Sequence, residues 1–485
     1  MSLTWCSFLS VLNIQALVAV FVLTGITFVQ TRYRKVLLKS LSQSNHPRFS
    51  EPLPMISVVL VCKGTHSESL TNWESSLKLH YQGPLEHIFV VESTSDPAYS
   101  AINSVISHHN NCKLVVAGLS FHNAQKIHNQ IAGIAACSPD SSFVLFTDDD
   151  IRVHSGVYEQ LVLSFQDPQV FAATGYCFEA PSNNAGFWGL LLMHYRLLNL
   201  GSFTGRRTRF MWGGFMMFEL SSFRNNLYNI LDLWRDGGYS DDMATVSVCS
   251  QYNRTIASHP MAVFPNPLTT RISFSKYLGF LSRQLFVCTT YSSTANKIQN
   301  LLLLWLNPLS FIGFGLPFIL ATCTLLMFIL STITPIIPQP CTGVVFSSLS
   351  LVLGLGIITK TLISLIRVLK QCNEEVSREH VSFILSTPFI KTGLALVMHL
   401  LLAAFVALYH CFSKTNKINW AGVVYQQHQG RINKVSRNEY SINAPESVKQ
   451  ALIEDQKKGL VVPGVYPRYY SSVFNDDAAG IGLLQ

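Results

Sequence analysis

The chain has 485 residues, of which 35 are Lys or Arg and 27 are Asp or Glu, a charged fraction of 13% and about half that of an ordinary soluble protein. Apolar residues make up 48%, mean hydropathy is +0.28 and net charge is +8. These values exclude a plain soluble enzyme, a disordered chain and a collagen-like fibre, and a charge this modest suits a membrane surface rather than nucleic acid.

The first element is the run Leu12 to Gln30, 19 residues without a charge. The residues before it are uncharged, whereas Arg32, Arg34, Lys35 and Lys39 follow it. A signal peptide carries its charge ahead of the apolar run, and basic flanks stay in the cytosol. Residues 1–31 are therefore expected to be a signal anchor with its N-terminus outside. Residues 32–54 are its basic flank and a polar, Pro-punctuated linker (Ser44 to Pro54).

Over residues 55–297 strands and helices alternate. Met55 to Cys62, His87 to Val91, Cys112 to Ala117 and Ser142 to Phe146 read as strands; Asn72 to Leu79 and His122 to Ala136 read as helices. Apolar strands alternating with helices predict an α/β domain, a mixed and mainly parallel sheet covered on both faces. In such sheets ligands bind beyond the carboxyl ends of the strands, so the residues that follow each strand carry the functional reading.

After the second strand comes Val90-Val91-Glu92-Ser93-Thr94-Ser95-Asp96-Pro97, either a ribose- or base-recognising edge or an Asp-Pro turn. Lys126 with Asn129 follows the third strand; the lysine either neutralises a diphosphate or is a solvated helix residue. The fourth strand runs into Thr147-Asp148-Asp149-Asp150. Three adjacent carboxylates repel one another unless water dilutes their charge or a cation is bound, and hard oxygen ligands at a strand end suit Mg2+ or Mn2+. Asp148 and Asp150 fit the DxD pattern of nucleotide-sugar transferases, in which the metal bridges protein and diphosphate.

Further on, Arg206-Arg207-Thr208-Arg209-Phe210-Met211-Trp212-Gly213-Gly214 is either a phosphate and sugar contact or a positive face on anionic lipid. In Gly237-Gly238-Tyr239-Ser240-Asp241-Asp242 the carboxylates sit at a helix start, as an ordinary first turn or as a general base. Ser282-Arg283-Gln284-Leu285-Phe286-Val287 lies just ahead of the membrane region, with Arg283 either on a leaving diphosphate or anchoring the chain at the interface.

From Ile298 through Thr359 no residue is Asp, Glu, Lys, Arg or His, long enough for two crossings. Spans are expected near 309–331, 342–363 and 390–411, with an interfacial helix from Lys297 to Trp305 ended by Asn307-Pro308. The loop 367–388, with Arg367, Lys370 and Arg378, is expected in the cytosol. That count places the tail, residues 412–485, in the lumen. Its nine Lys and Arg residues argue for the other side, and a re-entrant segment within 298–331 would reverse the count. The eleven cysteines are scattered, without a CxxC pair, and are expected to be reduced thiols.

In order along the chain, MISVVLVCKG, VVESTSDPAY, VVAGLS, QKIHNQ, FTDDDIRVH, MWGGFMM, RDGGYSDDM, AVFPNPL and RQLFV resemble the ceramide glucosyltransferases, family 21 of the glycosyltransferases, most closely the plant-type members. The likeness covers about residues 50–290 and extends to INWAGVVY at 418–425. It implies a GT-A-like domain on the cytosolic face of the Golgi or endoplasmic reticulum, with one N-terminal and about three C-terminal transmembrane helices (residues 298–411). It implies transfer of glucose from UDP-glucose, with inversion, to the primary hydroxyl of ceramide, with the bilayer as partner and no nucleic acid. Carried over residue by residue, Asp242 is the catalytic base and Asp148 and Asp150 hold the divalent cation. Glu92 stands at the nucleoside-binding acidic motif and Arg283 at the first position of the last motif; beside them Asp96, Lys126, Asp149, Asp241 and Gln284 are expected to line the nucleotide-sugar site, and His194 and Trp212 are the candidates on the acceptor side. Two departures stand out: Ser93 occupies the first acidic position, between Glu92 and Asp96, and Phe286-Val287 replaces the Arg-Trp of the family's (Q/R)xxRW motif. Other lipid glycosyltransferases and membrane polysaccharide synthases are the alternatives. The synthases would usually keep QxxRW and a channel of more spans.

Overall fold

The computed structural model describes residues 3–43, 52–154, 156–203, 205–334, 336–376, 385–413 and 416–437. Most of the linker from Ser44, Arg378 of the expected cytosolic loop, and the tail beyond residue 437 lie outside the described residues.

The chain opens with α1 (Leu3–Gln43), which begins ahead of the expected anchor and continues through its basic flank. The α/β domain then runs β1 (Ile56–Val61), α2 (Ser69–Leu77), β2 (Leu85–Val91), α3 (Pro97–Ile106), β3 (Cys112–Val116), α4 (Gln125–Ala136), β4 (Phe143–Asp148), α5 (Val157–Ser164) and β5 (Val170–Pro181). It continues through α6 (Gly186–Leu200), β6 (Arg207–Thr208), β7 (Phe215–Glu219), α7 (Ser221–Arg224), α8 (Ile230–Arg235), α9 (Asp241–Gln251), β8 (Thr255–Leu268) and α10 (Phe274–Phe286).

Eight strands form one sheet in the order β3-β2-β1-β4-β7-β5-β8-β6. The first four are parallel. β7 is inserted antiparallel between β4 and β5, and β5 is parallel to β8. This is the mixed, mainly parallel sheet that the apolar strands predict. Alternate residues feed opposite cores: Val58, Leu60, Phe89, Val91 and Leu145 lie on one side, and Val59, Ile88, Val90, Val144 and Phe146 on the other. That is the two-residue period of a pleated strand buried on both faces. Val61 pairs with both Val90 and Asp148, so β1, β2 and β4 end level, and the segments that follow them open on one edge.

The two cores lead to different places. The first runs through Leu190, Met193 and Leu197 of α6 and Tyr277 and Leu281 of α10 into the long C-terminal helices. The second takes in α4 and Trp234 and ends on a small sheet formed by the tail.

Four helical stretches are long and apolar enough to cross a membrane: Thr4–Val22, Thr294–Ile333, Thr342–Glu374 and Phe389–Phe412. The second departs from expectation. Asn307-Pro308 does not end a helix; Pro308 lies inside α11 (Thr294–Ser310), which passes through a widened turn at Phe311–Gly315 into α12 (Leu316–Ile333). The proline withholds one N–H, and the Asn307 amide donates instead to the carbonyls of Leu303 and Leu304, at 3.3 and 3.2 Å. The wide turn absorbs the ring.

α13 (Thr342–Val376) packs between α1 and α12. Here the expectation of reduced thiols is corrected: Cys6 and Cys341 form a disulfide, their Cα atoms 6.3 Å apart. Packing of α1 on α13 brings together cysteines 335 residues apart, a pairing that spacing cannot show. Asn13 on the same stretch of α1 donates to Ser347 and Ser348.

The side of the tail, which charge counting leaves open, follows from the contacts of the last long helix and of the segment after it. α14 (Phe389–Phe412) packs on α6 and α10 of the α/β domain as well as on α11 and α13. Ser386, just ahead of it, donates its N–H to the Pro181 carbonyl. Within it, Thr392 meets His194, His399 meets Tyr277 and His410 meets Ser282, at 2.8 to 3.1 Å. The tail then folds as β9 (Lys417–Trp420), β10 (Val423–His428) and β11 (Arg431–Arg437), an antiparallel sheet seated on the same domain. Such contacts cannot be made through a bilayer, so the described tail shares the domain's side. The number of crossings between Phe286 and Lys417 is therefore even.

Candidate active site

Three segments meet at the open edge of the sheet: the end of β4, the turn before β7, and the start of α9. Lys126 on α4 joins them. Its Nζ lies 2.8 Å from Asp148 Oδ1 and 3.3 Å from Asp241 Oδ2, and donates to the Gly213 carbonyl at 2.9 Å. Burial alone would depress this ammonium, but Asp148 and Asp241 hold it above its ordinary value. Lys126 is therefore not a solvated helix lysine; it is the fixed counter-charge of the carboxylate cluster.

Gly213 is the other hub. Its N–H donates to Asp242 Oδ2 at 3.2 Å while its carbonyl accepts from Lys126. A Cβ here would stand 2.5 Å from Asp241 Oδ1, so the close approach requires glycine. Trp212 beside it is buried, with its ring 5.7 Å from that of Tyr176 and 5.6 Å from the Arg196 guanidinium.

The α9 start resolves into two differently used carboxylates. Ser240 is the N-cap and accepts from the Met243 N–H. Asp241 is buried and saturated: Gln130 donates to it at 2.7 Å, Lys126 pairs with it, and it accepts the Asp242 N–H. Asp242 is less enclosed, held by Ser240, the Met243 N–H and Gly213. Burial first, and then the Asp241 charge, raises its carboxyl to about 6. A carboxylate so tuned can accept a proton near neutral pH. The loop ahead of it is clamped at Gly237, whose φ of +74° suits glycine and whose carbonyl accepts the Ile432 N–H of β11 at 2.8 Å.

At the β4 end, burial and mutual repulsion raise Asp149 well above the carboxylate range and Asp150 to about 6. Buried like charges in this state favour an added cation. Among the described residues no three His, Cys, Asp or Glu side chains are grouped to enclose a metal by themselves. Asp148 and Asp150 offer the hard oxygen donors that Mg2+ or Mn2+ takes one or two at a time when substrate phosphates complete its shell, so the residues fit an ion shared with a diphosphate.

Glu92, at the end of β2, lies 2.7 Å from Lys63 and 3.7 Å from Arg437 of β11. Asp96 serves the Asp-Pro turn: it caps α3, accepting from the N–H groups of Ala98 and Gly64, each at 2.8 Å. Arg283 on α10 is mostly buried, which lowers its pKa, while the charges of Tyr239, Asp148 and Asp150 act in the opposite sense. Its guanidinium lies over the rings of Trp420 and Phe280, 5.0 and 5.8 Å from their centroids. Gln284 accepts from the Tyr195 hydroxyl at 3.5 Å. His194 is fully buried in α6 and bonded to the Thr392 carbonyl at 2.8 Å; burial lowers its pKa to about 4. It fastens α6 to α14 and has no open face.

The structure thus brings Asp148, Lys126, Trp212, Asp241 and Asp242 together and keeps His194 apart. Sequence reasoning missed Gly213, Gln130, Trp420, Arg437 and the buried pair Arg196 and Glu179, 3.2 Å apart. Only the glycine of MWGG carried a local signal; the others become visible only when distant segments meet.

No curated protein matches the chain. Among solved structures it is similar to the mannosyltransferase PcManGT from Pyrobaculum calidifontis in complex with GDP-Man and Mn2+, at TM-score 0.37 and 12% identity over 84% of this chain and 99% of that one. It is also similar to GalNAc-T7 with UDP, GalNAc and Mn2+, at 0.34 and 13% over 48% of each chain. Neither likeness carries weight for what this chain binds. The family match does bear on the site, because it includes the β4 carboxylates: residues 16–191 match the family described as Glycosyl transferase family 21.

Proposed function

We propose that the chain transfers glucose from UDP-glucose to the primary hydroxyl of ceramide, inverting the anomeric carbon. One observation carries this reading: Asp242, a carboxylate raised to about 6, sits in one lysine-and-glycine network with the strand-end Asp148. Beside that network, the core of the domain continues into apolar helices. A soluble anionic donor and a membrane-held acceptor both have reason to come there.

In this reading the uridine lies along the β1 and β2 ends near Glu92, and the diphosphate lies toward Asp148, Asp150 and Arg283. A divalent cation held by Asp148 and Asp150 would neutralise the leaving diphosphate. Asp242 takes the proton of the ceramide hydroxyl as its oxygen attacks C1; the bond from C1 to the diphosphate oxygen breaks, and UDP leaves with the electron pair. Lys126 pairs with Asp148 and Asp241, and Asp241 holds the α9 turn so that Asp242 stays aimed. The catalytic side faces the cytosol of Golgi or endoplasmic reticulum: basic residues follow the first apolar run, and the Cys6–Cys341 disulfide belongs on an oxidising, lumenal side.

The test is transfer from labelled UDP-sugars to a panel of lipid acceptors by the purified full chain, with and without EDTA. Glucosylceramide formed from UDP-glucose, lost on chelation, is the expected result. Transfer to a different lipid, or polymer formation, would overturn the acceptor assignment.

A further inference from the structure

The tail sheet touches the nucleotide-sugar edge at two separate places. At one, the Arg437 guanidinium of β11 bonds the Gln125 side chain and the Ser120 carbonyl and lies 3.7 Å from Glu92. At the other, Trp420 of β9 stacks beneath Arg283. Between them Tyr425 accepts the Gln125 N–H, Ile432 bonds Gly237, and Arg431 donates to the carbonyls of Leu233 and Asp236. Ile418, Val423, Tyr425 and Ile432 are buried in the second core, so the sheet is built into the domain.

Arg283 is the residue with most to gain. It is mostly enclosed, and among the described residues no carboxylate lies within ion-pair distance of it. Its own helix supplies the Phe280 ring, and among the described residues the second ring against its guanidinium is Trp420. An aromatic face holds a guanidinium by its quadrupole while leaving the in-plane N–H donors unused. Those five donors form the fork that matches phosphate oxygens.

We propose that Trp420, delivered by the C-terminal sheet, is a positioning residue of the donor site: it orients Arg283 so that its N–H groups meet the diphosphate of a nucleoside diphosphate sugar. This rests on the donor class proposed above. The chain would thus supply from more than 130 residues downstream the aromatic partner that the segment after Arg283, with Phe286 and Val287, does not place beside it. Phe286 instead packs on Tyr239 and His410.

The test measures UDP binding to the purified full chain by calorimetric titration, together with KM and kcat for the donor. Trp420→Phe, which keeps a ring, is expected to bind UDP within about 3-fold of wild type. Trp420→Leu, which keeps apolar volume but no π face, is expected to weaken binding roughly 3- to 30-fold, raising the donor KM with the acceptor KM unchanged. In an Arg283→Ala background the Trp420→Leu change should have almost no further effect. Leu binding as tightly as wild type, or full additivity with Arg283→Ala, would overturn the proposal. Wild type that binds no nucleoside diphosphate would instead overturn the donor class, so the two failures are distinguishable. A Trp420→Leu protein that melts far below wild type is replaced by Trp420→Phe paired with Trp420→His, which grade the π face at near-constant burial; equal UDP affinities across that pair and wild type overturn the proposal.

Discussion

Asp242 is where burial becomes chemistry. Its carboxyl is raised from 3.8 to about 6, so for the proposed transfer the acid limb of kcat/KM against pH is expected near 6, with Asp242 protonated and idle below it. Asp242→Asn is expected to cut kcat by about 10²- to 10⁴-fold. The same shift has a stability sign. Between about 4 and 6 the folded chain binds this proton more tightly than the unfolded chain, so folding weakens as pH rises through that window. At about pH 8 the asparagine variant should therefore melt no lower than wild type while being inactive; a fall of several degrees in scanning calorimetry would contradict this account. Gly213→Ala pushes a Cβ to 2.5 Å from Asp241 Oδ1. It is expected to cost about 1–3 kcal/mol in denaturant titration and to lower kcat. The acidic motifs were legible in the sequence because strand ends are. The lysine was legible only as a candidate, because its two carboxylate partners, Asp148 and Asp241, lie on segments far apart in the chain.

At the scale of elements, apolar strands reported themselves. Each of β1, β2 and β4 lies within two residues of its expected bounds, since a strand buried on both faces must be continuously apolar. Helices were harder to interpret. His194 reads as an acceptor-side residue, yet its ring, on α6, is spent on the Thr392 carbonyl of α14. His194→Ala is expected to destabilise the chain by about 1–3 kcal/mol with the acceptor KM unchanged, measured by chemical denaturation alongside steady-state rates. A raised acceptor KM at full stability would return His194 to the acceptor site. α11 shows the converse problem. Pro308 is an ordinary stop signal, but neighbouring Asn307 and the wide turn after it compensate, and the helix runs on into α12.

At the scale of the whole molecule, the tail sheet decides the topology. Because β9–β11 are seated on the domain that holds Asp148 and Asp242, an epitope placed at the exposed Ala421-Gly422 turn should be reached from the same side as that domain in sealed vesicles. Protection of that epitope when the catalytic domain is accessible would disprove it. The disulfide gives the complementary mark. Cys6 and Cys341 should resist maleimide labelling until reduced, and Cys341→Ser should expose Cys6 to the reagent. The sequence by itself determined the class of sheet, the strand-end carboxylates and the membrane stretches, because these follow from local periodicity and from charge counted along the chain. Only the tertiary structure decided which carboxylates Lys126 pairs with, where Trp420 and Arg437 lie, which cysteines pair and which side the tail takes. Each of these is a contact between segments tens to hundreds of residues apart, fixed by packing that no local pattern encodes.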